Sequence, residues 1–343
     1  MSKLVEDPRV DPRLKRMFGK MPVVAGRDMA SRDEVLAANQ REKAIAARAV
    51  MAKFAERMDT EEIAPSDGLT ITTETFESSP DGNTIQVLFV RPDGAGDRPP
   101  CVAYLHGGGM ASMSCFDGNY RAWAKIIAAN GVAVVMVDFR NSVSPSSAPE
   151  VVPYPGGPDD CETGLHWAVG AADELGIDPG RIVVAGESGG GNLAIATTMR
   201  LRAAGRLDLI QGLYALCPYI AGEWPRPEFP SSIENEGILL SLHNNRGRMG
   251  YGIEAFEARD PMAWPSFASA ADVEGFPTTV ISVNEYDPLR DEGIEFYRLL
   301  LEAGVPARCR QVMGTAHGTE VFPMVCPEIS RDTARDLAAL ARG

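Results

Sequence analysis

The sequence predicts an α/β fold in which a mostly parallel β-sheet carries helices on both faces. From about residue 69 onward, short apolar runs typical of buried strands alternate with segments that have helical periodicity. The runs at 132–139 (VAVVMVDF) and 181–187 (RIVVAGE) have apolar centres, as strands buried on both faces do. Such strands must be covered on both sides, so we expect the intervening helices above and below the sheet.

The strand and helix patterns follow one another in a regular order. A hairpin comes first, with its two strands joined across a Pro-Asp-Gly turn. The predicted strands are 69–76, 83–92, 99–105, 132–139, 181–187, 209–218, 277–285 and 307–313. The predicted helices of the same region are 120–130, 158–174, 192–205, 289–304 and 331–342.

The composition is ordinary for a globular protein but strongly acidic. The chain has 343 residues, of which 45% are hydrophobic and 23% charged, and its formal net charge is −14. This length suits one catalytic core of roughly 250 residues with an added subdomain. Because an acidic surface repels the phosphates of nucleic acids and anionic membranes, we expect neither as a partner.

The N-terminus and the cysteines indicate a cytoplasmic protein. Residues 1–18 lack the apolar segment of a secretory signal peptide, and no apolar run approaches the roughly 18 residues of a membrane span. The six cysteines are scattered without a Cys-x-x-Cys pair, which is the usual spacing of a zinc site. We therefore expect reduced, buried thiols and no metal or other cofactor.

Two segments depart from the alternation of strands and helices. Residues 1–65 are polar and helix-rich, and Ser31 with Glu34 fits a capping box at the start of a long helical stretch. Residues 219–265 follow a strand, contain many prolines and carry only short helical patterns. Loops in this place lie over the carboxyl ends of a parallel sheet. We interpret residues 1–65 as N-terminal cap helices and 66–343 as the catalytic domain, with 219–265 as a cap insertion.

A tight turn between a buried strand and a helix carries the most specific motif. Residues 186–190 read Gly-Glu-Ser-Gly-Gly and match G-x-S-x-G. Such a turn strains the backbone of Ser188, and glycines two residues away on each side avoid clashes. The turn places the serine hydroxyl above the sheet edge at the N-terminus of the following helix, where the helix dipole favours developing negative charge. The motif predicts that Ser188 is a nucleophile.

A second glycine motif follows the strand at 99–105. The sequence His106-Gly-Gly-Gly is typical of loops whose backbone N–H groups stabilise an oxyanion. Gly107 and Gly108 are expected to supply two donors, and Gly189, directly after the nucleophile, a third. The ring of His106 is expected to pin the loop by hydrogen bonds. A phosphate-binding loop is the poorer interpretation because no Gly-Lys-Ser/Thr follows.

Chain order selects the general base among the four histidines. In this arrangement of strands an acid and then a histidine follow the nucleophilic serine. His106 belongs to the glycine motif, His166 lies in a helical pattern before the serine, and His243 lies in the insertion. His317 is left, in a loop after the last predicted strand. We expect it to accept the serine proton, and so kcat/KM to rise with pH through one ionisation near about 6.5 or somewhat shifted.

The acid partner is expected after the strand at 277–285. Glu285 and Asp287 both qualify by position, and Asp287 is favoured because a proline follows it and would fix the turn into the next helix. The neighbouring carboxylates Asp291 and Glu292 fall within that helix. They are expected to face solvent or to pair with Arg290.

Together the motifs resemble one family, the bacterial hormone-sensitive-lipase-like or family IV esterases, which have the α/β-hydrolase fold. The similar segments are HGGG, GESGGGN, DPLRDEG and the Ala-His-Gly around His317, and the resemblance covers about residues 70–340. It implies a serine carboxylesterase that cleaves small-molecule esters of short to medium acyl chains through Ser188, Asp287 and His317. It also implies a helical cap built from the N-terminal helices and an insertion, and it suggests a homodimer.

The chain departs from the family pattern at the site and at its rim. The family usually has Asp before the nucleophile, Ala after it and an aromatic residue after HGGG, where this chain has Glu187, Gly189 and Met110. The segment at 138–155 is also longer than its counterpart. Two other functions stay open: an amidase or peptidase with the same three residues, and a non-catalytic ligand receptor, a class that typically lacks one of them.

Overall fold

The structure, a computed structural model, describes residues 3–21, 23, 25–94 and 98–343, which form one sheet with surrounding helices. The strands are β1 Leu69–Glu77, β2 Thr84–Pro92, β3 Cys101–Leu105, β4 Ala133–Val137, β5 Ile182–Glu187, β6 Gly212–Leu216, β7 Thr278–Asn284 and β8 Ala307–Val312. The helices are α1 Lys3–Glu6, α2 Pro12–Phe18, α3 Arg32–Asn39, α4 Glu42–Glu56, α5 Gly118–Ala128, α6 Gly156–Gly170, α7 Ala172–Leu175, α8 Gly189–Ala203, α9 Ser231–Glu234, α10 Arg246–Tyr251, α11 Ile253–Glu257, α12 Ala270–Val273, α13 Arg290–Glu302 and α14 Pro327–Arg342.

The sheet is mostly parallel and has the order β1-β2-β4-β3-β5-β6-β7-β8. β1 and β2 form the predicted hairpin, β2 is antiparallel to β4, and each neighbouring pair from β4 to β8 is parallel. The carboxyl ends of the parallel strands therefore meet at one edge. Leu105 of β3 pairs there with Gly186 of β5, and Asn284 of β7 pairs with Val312 of β8. The loops that carry the predicted site residues leave from this edge, where open α/β sheets bind their ligands.

Helices cover both faces of the sheet. On one face α6, α8 and α13 bury Leu165, Leu193 and Phe296 against the strands. On the other face α5 and α14 bury Trp123 and Leu337. Burial of this apolar surface is the main term that stabilises the fold, and it holds the strand ends in fixed positions. Among the described residues, every helix is too short or too polar to cross a bilayer.

The fold class and the order of elements agree with the sequence, but the long helical stretch predicted after Ser31 is two helices. The chain turns between α3 and α4, where Arg41 has an extended backbone. The reason lies in contacts of Asn39 at the end of α3. Its amide donates a hydrogen bond of 2.8 Å to the hydroxyl of Ser144, and its carbonyl oxygen accepts one of 2.9 Å from Arg48. These bonds tie the end of α3 to the loop of Ser144 and to α4.

The predicted capping box at α3 forms only in part. The hydroxyl of Ser31 accepts a hydrogen bond of 3.2 Å from the backbone N–H of Glu34, as in a capping box. The carboxylate of Glu34 does not return to Ser31. It accepts a hydrogen bond of 2.7 Å from the backbone N–H of Ala30 and pairs with Arg27.

Candidate active site

Ser188 occupies a strained turn between β5 and α8. Its backbone has φ 57° and ψ −119°, a conformation that costs free energy in a residue with a Cβ. The turn is so tight that a Cβ on Gly186 would lie 2.3 Å from the carbonyl oxygen of Gly190. A Cβ on Gly190 would lie 1.9 Å from the carbonyl oxygen of Leu105. Both flanking positions therefore require glycine, as the motif predicted.

The structure brings Ser188 together with the predicted base and acid. Nε2 of His317, in the loop after β8, lies 2.9 Å from Oγ of Ser188. Nδ1 of His317 lies 2.7 Å from Oδ2 of Asp287, in the loop after β7. Asp287 is fully buried, and its other carboxylate oxygen accepts a hydrogen bond of 2.9 Å from the backbone N–H of Leu289. The ring of His317 is thus held between a hydroxyl and a fixed carboxylate.

Two opposing effects act on the protonation of His317. Burial of the ring lowers its pKa, because it penalises the charged imidazolium. The neighbouring carboxylate of Asp287 raises the pKa, as does the adjacent Cys217, and together they outweigh burial, so that the pKa lies well above its usual value. The same carboxylate would stabilise the imidazolium that forms when the ring accepts a proton.

The thiol of Cys217, which the sequence did not point to, lies next to this pair. Sγ of Cys217, a carboxylate oxygen of Asp287 and a ring nitrogen of His317 lie within 4.8 Å of one another, a spacing that metal ligands also have. Metals bind the thiolate, and burial raises the pKa of the Cys217 thiol to about 11. Because Asp287 and His317 are also bonded to each other, the donor set does not suit a resident metal ion.

The other carboxylates near Asp287 bind partners other than His317. Glu285 accepts a hydrogen bond of 2.7 Å from the backbone N–H of Gly314, so its carboxylate does not face His317. Asp291 pairs with Arg290 at 2.8 Å, as expected. The expectation for Glu292 is wrong: its side chain neither faces solvent nor pairs with Arg290, but is 1% exposed and binds the insertion.

The glycine loop, residues 106–110, lies against the turn that carries Ser188. A Cβ on Gly189 would lie 2.6 Å from the backbone nitrogen of Gly109 and 2.5 Å from that of Met110. This close approach explains glycine at 189, where the family usually has alanine. Gly108 and Gly109 have φ values of 97° and 64°, which glycine adopts without strain.

The structure removes Gly107 from the predicted set of donors. Its backbone N–H donates a hydrogen bond of 2.9 Å to the hydroxyl of Tyr120, which lies on α5. The N–H groups of Gly108 and Gly109 make no hydrogen bond to any other described residue. Gly189 is the first residue of α8, so its N–H has no partner within the helix. Gly108, Gly109 and Gly189 are therefore the donors available beside Ser188.

The first and last residues of the glycine loop are buried and anchor it. The ring of His106 stacks on Phe139 with centroids 4.1 Å apart, and its Nδ1 lies 2.9 Å from the carbonyl oxygen of Gly107. The side chain of Met110, 2% exposed, packs in the core and does not line the cavity above Ser188. Met110, which replaces the family's aromatic residue, therefore does not form part of the cavity wall.

A cavity of about 470 Å³ opens above Ser188. Its wall is mainly apolar, with side chains from α3, from the insertion and from the loops of the sheet edge. The apolar lining includes Val35, Val143, Leu240, Leu242, Val321 and Phe322. Both segments interpreted as cap thus contribute to the space around the nucleophile.

The N-terminal segment and the insertion are joined by hydrogen bonds. The side chain of Asn245 donates 2.9 Å to the carbonyl oxygen of Met29 and accepts 2.8 Å from its N–H. The backbone N–H of Asn245 also donates 2.8 Å to the carboxylate of Asp28. Because the side-chain amide of Asn245 bonds both backbone groups of Met29, it holds the insertion and the N-terminal segment in a fixed position relative to each other.

Comparison with known proteins places the chain in a family. The family model described as the alpha/beta hydrolase fold matches residues 102–321. Carboxylesterase NlhH of Mycobacterium tuberculosis is 33% identical over 267 residues, which cover 76% of this chain and 80% of the relative. Esterase LipI of the same species is 32% identical over 252 residues, covering 73% of this chain and 74% of the relative.

Solved structures agree over nearly the whole chain. Esterase Est22 superposes with a TM-score of 0.98 at 60% sequence identity and covers 100% of this chain and 99% of its own. Brefeldin A esterase, a bacterial homologue of human hormone-sensitive lipase, superposes with a TM-score of 0.86 at 36% identity and covers 98% of this chain and 94% of its own. The chain belongs to the hormone-sensitive-lipase-like, or family IV, esterases of the α/β-hydrolase fold.

Proposed function

We propose that the protein is a carboxylesterase that hydrolyses short to medium acyl esters through Ser188, His317 and Asp287. The observation that carries the proposal is the continuous line of hydrogen bonds from Ser188 Oγ through the His317 ring to Asp287, at 2.9 and 2.7 Å. The relatives support it, since those named above are called carboxylesterase or esterase. A group of this geometry performs acyl transfer in many folds.

The proposed reaction proceeds through an acyl-enzyme. Ser188 Oγ attacks the ester carbonyl carbon while His317 Nε2 takes the serine proton, and Asp287 stabilises the imidazolium. The tetrahedral oxyanion accepts hydrogen bonds from the N–H groups of Gly108, Gly109 and Gly189. His317 then gives its proton to the leaving alcohol oxygen as the ester C–O bond breaks. In the second half of the reaction, water attacks the acyl carbon while His317 takes its proton. The bond from that carbon to Ser188 Oγ then breaks as His317 returns the proton to Oγ, and the carboxylic acid leaves.

The size of the cavity carries the proposal about chain length. A space of about 470 Å³ above Ser188 is available to the acyl and alcohol parts of the ester. Its apolar lining favours alkyl groups, and α3 and the insertion limit its extent. We therefore expect butyrate-sized esters to be better substrates than palmitate-sized ones at equal monomer concentration.

The nucleophile is tested by substitution and by covalent labelling. Ser188→Ala should lower kcat by several orders of magnitude and leave the fold intact, because it removes the reacting atom and little volume. An organophosphate should label Ser188 stoichiometrically. Ser330→Ala, at a buried serine on α14, is the matched control and should keep wild-type activity. Labelling at another serine, or an active Ser188→Ala protein, would contradict the assignment.

Substrate class is tested by two panels of p-nitrophenyl and anilide substrates. p-Nitrophenyl esters of increasing chain length should give the highest kcat/KM at short to medium chains. The anilide of the best acyl group should react far more slowly than its ester. Faster cleavage of the anilide would instead indicate an amidase, the alternative that the same three side chains permit.

A further inference from the structure

The residue before the nucleophile makes contacts that the reaction scheme does not use. Glu187 is 3% exposed, and each of its carboxylate oxygens has its own tyrosine partner. Oε2 accepts a hydrogen bond of 2.9 Å from the hydroxyl of Tyr104, on β3. Oε1 accepts one of 2.5 Å from the hydroxyl of Tyr120, on α5. Burial of a carboxylate is costly unless it is hydrogen-bonded, so this pair of contacts fixes the side chain firmly.

The two tyrosines differ in what they touch beyond Glu187. The hydroxyl of Tyr120 also accepts the hydrogen bond of 2.9 Å from the backbone N–H of Gly107. A hydroxyl has one proton and two lone pairs. Because Glu187 takes the proton of Tyr120, a lone pair of that oxygen is directed to Gly107. Tyr104 has no hydrogen bond to the glycine loop.

The close fit around Gly107 shows how tightly this contact holds the loop. A Cβ at this position would lie 2.1 Å from Oε1 of Glu187 and 3.0 Å from the hydroxyl of Tyr120. The backbone of Gly107 therefore lies directly on the carboxylate and the hydroxyl. Gly108 and Gly109, whose N–H groups are free, are the next two residues of the chain. Any shift of Gly107 would move these donors relative to Ser188.

We infer that Glu187, acting through Tyr120, is a positioning residue that holds the glycine loop where its free N–H groups meet the oxyanion. The inference rests on the proposed function, because it requires an oxyanion at Ser188. Under this inference Gly107 does not donate to the oxyanion. Its N–H instead donates to Tyr120 and thereby fixes the loop. Preorganised donors lower the barrier because they need no reorientation during the reaction.

The test compares variants that each remove one buried hydroxyl. Tyr120→Phe removes the hydrogen bonds to Gly107 and to Glu187, whereas Tyr104→Phe removes a bond to Glu187 and none to the glycine loop. Tyr214→Phe is a remote control, since Tyr214 donates 2.8 Å to the carboxylate of Asp336. For each variant the readouts are kcat, KM, melting temperature, and affinity for a boronic acid that forms a tetrahedral adduct with the serine.

The expected result separates positioning from a loss of stability. Removal of a whole oxyanion donor costs about 10²–10³ in kcat, so displacement of the loop should cost about tenfold or more. Tyr120→Phe should show this loss in kcat with little change in KM, and the same loss in boronate affinity. Tyr104→Phe, which keeps the bond between Tyr120 and Gly107, should lose less than Tyr120→Phe in both kcat and boronate affinity. Tyr214→Phe should stay within about threefold in both, whatever its melting temperature.

Variants of Glu187 decide the matter if Tyr120→Phe does not fold. Glu187→Ala should lower kcat and boronate affinity together, and Glu187→Gln should fall between it and wild type, because the amide keeps one acceptor oxygen. The inference is overturned if folded Tyr120→Phe or Glu187→Ala keeps kcat within threefold of wild type, or if kcat falls without boronate affinity. An active Ser188→Ala protein would instead refute the proposed function itself, so the two failures are distinguishable.

Discussion

The carboxylate of Glu292 binds the indole N–H of Trp224 at 2.7 Å and so joins α13 to the insertion. Its other oxygen accepts hydrogen bonds of 2.7 and 3.1 Å from the backbone N–H groups of Ile220 and Ala221. Glu292 lies five residues after Asp287, on the helix that the loop of Asp287 enters. The loop and first turn of α13 therefore carry both Asp287, the acid of the proposed triad, and Glu292, which holds the start of the insertion.

Glu292→Ala should destabilise the protein substantially. The change leaves three buried donors without an acceptor, and each such group costs about 1–3 kcal/mol. We expect the free energy of unfolding to fall by about 3 kcal/mol, measured by urea denaturation. The matched control is Glu295→Ala, at an exposed residue of the same helix, which should change it by no more than about 0.5 kcal/mol. Equal effects of the two substitutions would show that Glu292 does not anchor the insertion.

The pH dependence of kcat/KM should report His317. The ring accepts the serine proton only when it is neutral, and it is neutral above its pKa. Because Asp287 raises that pKa despite burial, activity should rise with pH through an inflection above 6.5, the usual value for histidine.

The Asp287→Asn variant is the control for this shift. It leaves burial as the dominant effect, so the inflection should move to lower pH while kcat falls by roughly 10⁴-fold. An inflection that does not move would mean that Asp287 has no electrostatic effect on the group that titrates.

Gly189→Ala should reduce catalysis even though alanine is usual in the family. In this chain the new Cβ would lie 2.5 Å from the backbone nitrogen of Met110, so the glycine loop must move away from Ser188. We expect kcat to fall by about 10- to 100-fold, in line with a weakened oxyanion donor. Gly170→Ala, where a Cβ would have no atom of the described residues within 4 Å, should leave kcat unchanged. Wild-type activity in Gly189→Ala would show that the loop adjusts freely.

Val35→Phe should narrow the range of acyl chains that the protein accepts. Val35 lies on α3 and lines the cavity above Ser188, so a larger side chain would occupy part of the 470 Å³. We expect kcat/KM to fall more for octanoate than for acetate esters of p-nitrophenol. Val50→Phe, at a residue of α4 that is 65% exposed, should not alter the ratio. An unchanged ratio in Val35→Phe would contradict the proposal that the N-terminal helices form part of the pocket.

Local pattern was enough to place the strands and the site residues at their ends, but not the breaks between α3 and α4 or between α6 and α7. The apolar runs marked the central strands β3 to β7 because these strands are buried on both faces. Glycines at 186 and 190 marked the turn at Ser188, because no other residue fits against the carbonyl oxygens there. The positions of Asp287 and His317 followed from strand order, since loops after parallel strands meet at one edge.

Contacts between distant parts of the chain were decided by the tertiary structure alone. Tyr120 and Gly107 are 13 residues apart, and Glu292 and Trp224 are 68 apart, so no periodicity or turn motif relates them. The N–H of Gly107 is bonded and that of Gly109 is free because α5 places the hydroxyl of Tyr120 next to Gly107. Sequence by itself determined the succession of strands and helices along the chain, the turn at Ser188 and the loops of Asp287 and His317, because these depend on local burial and backbone conformation. Which N–H groups stay free, and which residues line the cavity, depend on packing between elements that the sequence does not place side by side.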